Sequence, residues 1–176
     1  MELEQIYLVG DFSVETNGSF EELERNASRF SGTFSIGAPR KEITLDRMER
    51  QGFPFFAGTM TVTRPFTADD TALMLDFVKT GWNVVKASVN GRELPPLMWE
   101  PFVQDLSEYL RVGENEISLT LTNNLRNMQG PLHLDIGESH SLGPAEFYRR
   151  KCVWGGGVER WNDGYCFLTH SVKERG

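Results

Sequence analysis

The sequence predicts an all-β fold of the sandwich class. Hydrophobic residues alternate with a dominant period of two rather than 3.6, in several short segments. Those segments are separated by turn residues at Gly, Pro and Asn. Each of the clearest ones has one apolar and one polar face, as antiparallel strands do when only one side is turned to a core.

In chain order, residues 6–12 (IYLVGDF) are expected as an edge or first strand. Between 13 and 50, FEELERNASRF reads as a short helix, and GTFSIG and EITLDR as strands. TMTVTRPF is a strand in which Met60 and Val62 alternate with Thr59, Thr61 and Thr63. Residues 72–78 read as a strand with Leu73, Leu75 and Phe77 on one side. In VVKASVNGREL, Val85, Ala87 and Val89 share a face, and Asn90-Gly91 supplies the positive φ angles of a tight hairpin turn.

The segment PFVQDLSEYLRVGEN breaks the alternation. Phe102, Leu106 and Leu110 recur every four residues, which predicts one short helical connection ending near Gly113. EISLTLT follows as a strand, with Ile117, Leu119 and Leu121 against Ser118, Thr120 and Thr122. GYCFLTHSV is expected to close the sandwich, Tyr165, Phe167 and Thr169 alternating with Cys166, Leu168 and His170. No repeat, low-complexity tract or Pro/Ser-rich linker divides the chain, so one domain over 1–176 is expected.

Bulk properties exclude several function classes. With 176 residues, 39% of them hydrophobic and 24% charged, the chain is long and apolar enough to bury a core. A net charge of -7 argues against nucleic-acid binding, which needs a basic face to release phosphate counterions. The densest basic stretch, Arg149, Arg150 and Lys151, reads as a solvated face. No apolar run approaches a membrane span, and MELEQIYLVG lacks the pattern of an export signal. A cytoplasmic location is expected if Met1 is the natural start. Cys152 and Cys166 are expected as two buried free thiols, a bridge requiring adjacent strands.

These segments carry a family resemblance. QGFPFFAGTMTVTRPF, then VVKASVNGREL, then WEPFVQDLSEYLRVGENEISLTLTNNL and GPLH, resembles the sugar-binding-like domain of the β-galactosidase and β-glucuronidase superfamily. The order is what matches: a strand, paired strands closing on V-N-G, a Pro-containing loop, a short helical turn, and a G-x-N-x-I/L strand. The resemblance covers roughly residues 50–170 and implies a jelly-roll β-sandwich, galactose-binding domain-like. It implies an accessory role at the C-terminal end of a longer glycoside hydrolase, whose separate catalytic domain would be the partner. In that superfamily the catalytic domain is an (α/β)8 barrel with two carboxylates, which this length cannot hold.

Candidate carbohydrate contacts combine aromatic faces with amide, carboxylate or guanidinium groups. Trp154, Trp161, Asn162, Asp163 and Tyr165 in VWGGGVERWNDGY form one such set beside a run of three glycines, although packing or domain docking explains the same rings. Arg126 and His133 belong to a second polar, Gly/Pro-rich stretch with Asp135, Glu138 and His140, equally suited to interdomain contact. His133, Asp135 and His140 match no zinc spacing and lack a fourth ligand, so no metal is assigned. No cofactor is expected; structural calcium, which jelly-roll carbohydrate modules often hold, stays open although no D-x-D-x-D-G loop is present to reveal it.

No catalytic residue is expected. Asp135 with Glu138 or Glu146 can be imagined as a glycosidase pair, but acidic residues are abundant in a chain with 25 Asp and Glu, and no nucleophile elbow or phosphate loop occurs. Trp82 and Trp99 are expected in the core or at a sheet edge. Three functions compete: the accessory domain, an autonomous carbohydrate-binding module, and a protein-interaction sandwich unrelated to sugars. The first predicts an exposed apolar or aromatic patch where a partner domain docks.

Overall fold

The computed structural model describes residues 6, 8–23, 27–77, 81–129 and 165–169. They form a nearly all-β structure of antiparallel sheets, as the sequence predicts for a β-sandwich. The strands are β1 (Ser13–Leu23), β2 (Ala27–Gly37), β3 (Thr59–Ala68), β4 (Met74–Asp76), β5 (Val84–Val89), β6 (Arg92–Glu93), β7 (Val103–Asp105), β8 (Gly113–Thr122) and β9 (Tyr165–Leu168). A 3-10 turn spans Met48–Arg50, and a one-turn helix, α1, spans Arg126–Gln129. The sheets run β1-β2-β9, β3-β8-β5-β6 and β4-β7. Among the described residues no helix is long and apolar enough to cross a membrane.

The period-two segments behave as their pattern requires. In the β3–β8–β5 layer, Leu119, Leu121, Val85, Ala87 and Val89 are buried in the main core together with Met48, Phe77, Trp82, Leu94 and Leu106. Met60, Val62 and Ile117 pack partly against it. On the opposite face the hydroxyls of Thr59, Thr61 and Thr63 pair with those of Thr122, Thr120 and Ser118, so the polar half of each strand satisfies itself across the ladder. The β5–β6 hairpin turns at Asn90 (φ 52°) and Gly91 (φ 79°), and Val89 faces Arg92 in register.

The V-N-G and G-x-N-x-I motifs lock together as one knot. Asn115 accepts from Asn90 Nδ2 (2.8 Å) and Arg111 N–H (3.0 Å), and donates to the carbonyls of Arg111 (2.7 Å) and Gly113 (2.9 Å). Asn90 also donates to the Tyr109 carbonyl and accepts from Glu116 N–H. Gly113, at φ 98°, takes the left-handed turn that aims this loop back at Asn115.

Several expectations are corrected. FEELERNASRF is not a helix: its described residues belong to the β1–β2 hairpin, paired from Ser13 with Gly37 to Leu23 with Ala27. Pairing of β2 with β9 and a row of rings on one face, Phe20, Phe30, Phe34, Tyr165 and Phe167, override the helix preference of its glutamates. Residues 6–12 form no strand where described; Ile6, Leu8 and Val9 are exposed, and Phe12 N–H bonds back to Gly10 in a bend. EITLDR stays outside the sheets because the Gln51 side chain takes the place of a neighbouring strand, accepting from Thr44 N–H and donating to the carbonyls of Thr44 and Asp46. Ile43 and Leu45 still pack on the core.

The predicted helix after Pro101 is replaced by β7 and a single turn. Asp105 fixes that turn by accepting from Ser107 N–H and Oγ–H, and Leu110 N–H then reaches the Leu106 carbonyl at 3.1 Å. Phe102, Leu106 and Leu110 all face the core, so the four-residue spacing reported burial correctly and secondary structure wrongly. The strand expected at 72–78 shortens to β4; Phe77 is buried, Leu75 half-buried, and Leu73 exposed.

Candidate docking surface

The β4–β7 ribbon and the loop leading into it present an apolar face to solvent. Met74 lies opposite Asp105, Leu75 opposite Gln104, and Asp76 opposite Val103. Alternation therefore puts Met74 and Val103 on one face and Leu75 on the other, where it packs on the core. Two further backbone bonds extend the ribbon, Phe77 N–H to Phe102 O at 2.9 Å and Leu106 N–H to Leu73 O at 3.0 Å. Met74, Val103 and Leu73 are exposed, and so are Met98 and Trp99 on the lead-in loop.

Trp99 is the dominant feature, with 72% of its surface open, whereas Trp82 is 3% exposed. The expectation of a core or sheet-edge position thus holds for Trp82, in the core, and is corrected for Trp99, which lies exposed in a bend outside the strands. Leu97 occupies the inward position, bonded to Val85 through both its N–H and its C=O and packed against the core; Phe102 takes the next one. The residues between them pass outside that packing, through a cis Glu100–Pro101 bond. Among the described residues Trp82, Phe30, Phe77 and Phe167 are buried, and Trp99 is the most open ring of those named as exposed; exposed aromatic and apolar side chains of this kind are what an interaction site offers.

The same face is also acidic, because Asp105 and Asp76 lie directly opposite Met74 and Val103. Residues 69–77 and 97–108 carry Asp69, Asp70, Asp76, Glu100, Asp105 and Glu108, and no Lys or Arg. The Ser107 hydroxyl, and then its N–H, hold the Asp105 carboxyl below its ordinary range, so it stays an anion beside Val103.

The residues expected to contact sugar are only partly within view. Tyr165 lies in β9 opposite Phe30 and keeps 41% of its surface open. Its ring stands edge-on to Phe34 (4.8 Å) and parallel to Phe167 (6.2 Å). Arg126 opens α1 with its side chain exposed. The next residue, Asn127, donates to Leu168 O (3.0 Å) and accepts from Leu168 N–H (2.8 Å), which stitches α1 to β9 and sets Arg126 and Tyr165 on adjoining elements. Trp154, Trp161, Asn162, Asp163, His133, Asp135, Glu138, His140, Glu146 and Cys152 lie outside the described residues.

Two other features were not anticipated from sequence. A shallow depression of about 490 Å³ beside the Asn90–Asn115 knot is lined by Phe66, Arg111, Glu114 and Glu116, its two amides already bonded within the fold. Glu49 is wholly buried on the 3-10 turn, and neither carboxyl oxygen is hydrogen-bonded to another residue. Burial raises its pKa from 4.5 to about 7, against the pull of its own backbone N–H, Arg50 and Arg47.

No family model matches the chain, and no curated protein matches it. Among solved structures, a rhamnosidase from Novosphingobium sp. PP1Y is similar over 72% of this chain and 12% of its own, at 19% identity and a TM-score of 0.43. A β-D-glucuronidase for Dictyoglomus thermophilum is similar over 78% of this chain and 24% of its own, at 13% identity and a TM-score of 0.35. The chain therefore spans only a small part of the length of either protein.

Proposed function

We propose that this chain is a non-catalytic accessory domain of a glycoside hydrolase, a jelly-roll, galactose-binding-like sandwich that braces the catalytic domain of the same parent protein. The observation that carries the reading is the open Trp99 face. An accessory domain must leave uncovered, when alone, the apolar surface it buries against its neighbour, and Trp99, Met98, Met74 and Val103 are such a surface. The ordered motifs resembling the β-galactosidase and β-glucuronidase superfamily support it, since their amides do fold-forming work in the Asn90–Asn115 knot.

The test is to express this chain and the catalytic domain from the same reading frame as separate polypeptides and to measure their association by calorimetry. Association is expected, and Trp99→Ser is expected to weaken it by about tenfold or more, as loss of a central aromatic contact does. A reading frame without a glycosidase domain, or association indifferent to Trp99, overturns the proposal. A second reading, an autonomous carbohydrate-binding module, draws on the open Tyr165 ring of β9 and the exposed Arg126 of the adjoining α1. Titration with plant, mucin and microbial glycans at millimolar concentration rejects that reading if no heat of binding appears.

A further inference from the structure

Glu49, Arg50, Glu22 and Arg47 form a charge cluster with an uneven distribution of partners. One Glu22 oxygen accepts from both Arg47 and Arg50, while the Glu49 carboxyl, wholly buried next door, accepts from neither. The nearest cation to it is Arg50, whose Nε lies 3.7 Å from Oε1, beyond hydrogen-bond range. Arg50 is held away by its bond to Glu22 and by the Phe20 ring, over which its guanidinium sits at 4.8 Å.

We propose that Arg50 is a two-position arginine under proton control: it stays on Glu22 and Phe20 while Glu49 is neutral, and shifts to Glu49 when that carboxyl ionises. With Glu49 neutral, Arg47 and Arg50 share Glu22 while Asp46 lies 3.7 Å from Arg47 Nε, so Arg50 has no carboxylate of its own. Ionisation of Glu49 supplies one, and a buried carboxylate without a partner is strongly driven to acquire one. The required movement is about 1 Å, from 3.7 Å to the length of a charge-assisted bond. Arg47 keeps Glu22 paired, so the exchange orphans no charge.

The charged groups acting on Glu49 are Arg50 and Arg47 from its own turn and Glu22 from β1. The elevated pKa of Glu49 places the exchange near neutral pH. The consequence is a pH-sensitive joint between β1 and the 47–52 segment, which is otherwise tethered there by Val14 N–H to Gly52 O at 2.9 Å.

The test is NMR titration of the intact chain, following the Glu49 carboxyl carbon, the Arg50 Nε–H and the Phe20 ring protons. All three are expected to move with one midpoint between about pH 6 and 8. In Glu49→Gln the Arg50 and Phe20 signals are expected to stop titrating. In Glu22→Gln, Arg50 is released towards Glu49, and the Glu49 midpoint is expected to fall by about one pH unit or more. A Glu49 midpoint close to 4.5, or Arg50 and Phe20 signals that stay still while Glu49 titrates, overturns the inference. Glu22→Gln and the wild-type chain carry the test should Glu49→Gln fold poorly.

Discussion

Removing the Asn115 amide tests whether the motif knot is the structural keystone that its geometry indicates. The side chain is 3% exposed and makes four hydrogen bonds, which fills both of its donors and both acceptor lone pairs. At about 0.5–1.5 kcal/mol each, complete loss comes to about 2–6 kcal/mol. Asn90 Nδ2 retains the Tyr109 carbonyl, and Arg111 is exposed, so water repairs part of the damage. Asn115→Ala is therefore expected to cost about 3 kcal/mol, lowering the thermal midpoint by about 6–12 °C for a chain of this size. Urea unfolding read by tryptophan fluorescence measures it, with Thr61→Ala as the control. Thr61 shares a hydroxyl bond with Thr120 on the open face and should cost under about 0.5 kcal/mol. A loss below about 1 kcal/mol in Asn115→Ala would refute the reasoning. Asn115→Asp should be no milder at neutral pH, because it aims a carboxylate at the Arg111 and Gly113 carbonyls.

Two further outcomes are expected. Glu49 has a folded-state pKa raised from 4.5 to about 7, so its contribution is fully present below pH 4.5, falls as pH rises towards 7, and is flat above that. The whole change is about 3 kcal/mol at 1.36 kcal/mol per pH unit; urea unfolding at pH 5 and pH 8 should show wild type weaker at pH 8 and Glu49→Gln nearly level. Trp82→Ala should cost about 3–5 kcal/mol in the same assay, whereas Trp99→Ala should cost under about 0.5 kcal/mol and alter association alone.

What could be read from the sequence was the part governed by local alternation. Met60 and Val62 against three threonines, and Val85, Ala87 and Val89 before Asn90-Gly91, specify face and turn within a few residues, and the structure keeps both. The β1–β2 hairpin escaped because its determinant is distant. Phe30 and Ser28 pair with Tyr165 and Phe167, more than 130 positions away, while the local glutamates favour helix. The Phe102–Leu106–Leu110 spacing was a true signal of inward-facing side chains, met by a short strand and one turn instead of a helix. Trp99 could not be placed from sequence, since its exposure depends on Leu97 having already filled the site beside Val85. Glu49 gave no signal at all; a glutamate among charged neighbours reads as surface until the fold closes over it.

In the β1–β2 hairpin Gly18 lies directly opposite Gly32. A methyl group on Gly18 would lie 2.1 Å from Ser31 O, and one on Gly32 would fall 2.7 Å from the Phe30 ring and 2.3 Å from Asn17 O. Side-chain-free at its waist, the ribbon divides into two working halves. The half beyond the waist carries Phe20 and Phe30 into the ring cluster with β9, and the half before it adds Phe34 to that cluster and is moored by Ser13 to Ala38 O and by Glu15 to Arg40. Eleven-residue strands thus act as a yoke that couples the 38–56 segment to β9, and at the pinch any side chain in place of either glycine would push the two strands apart.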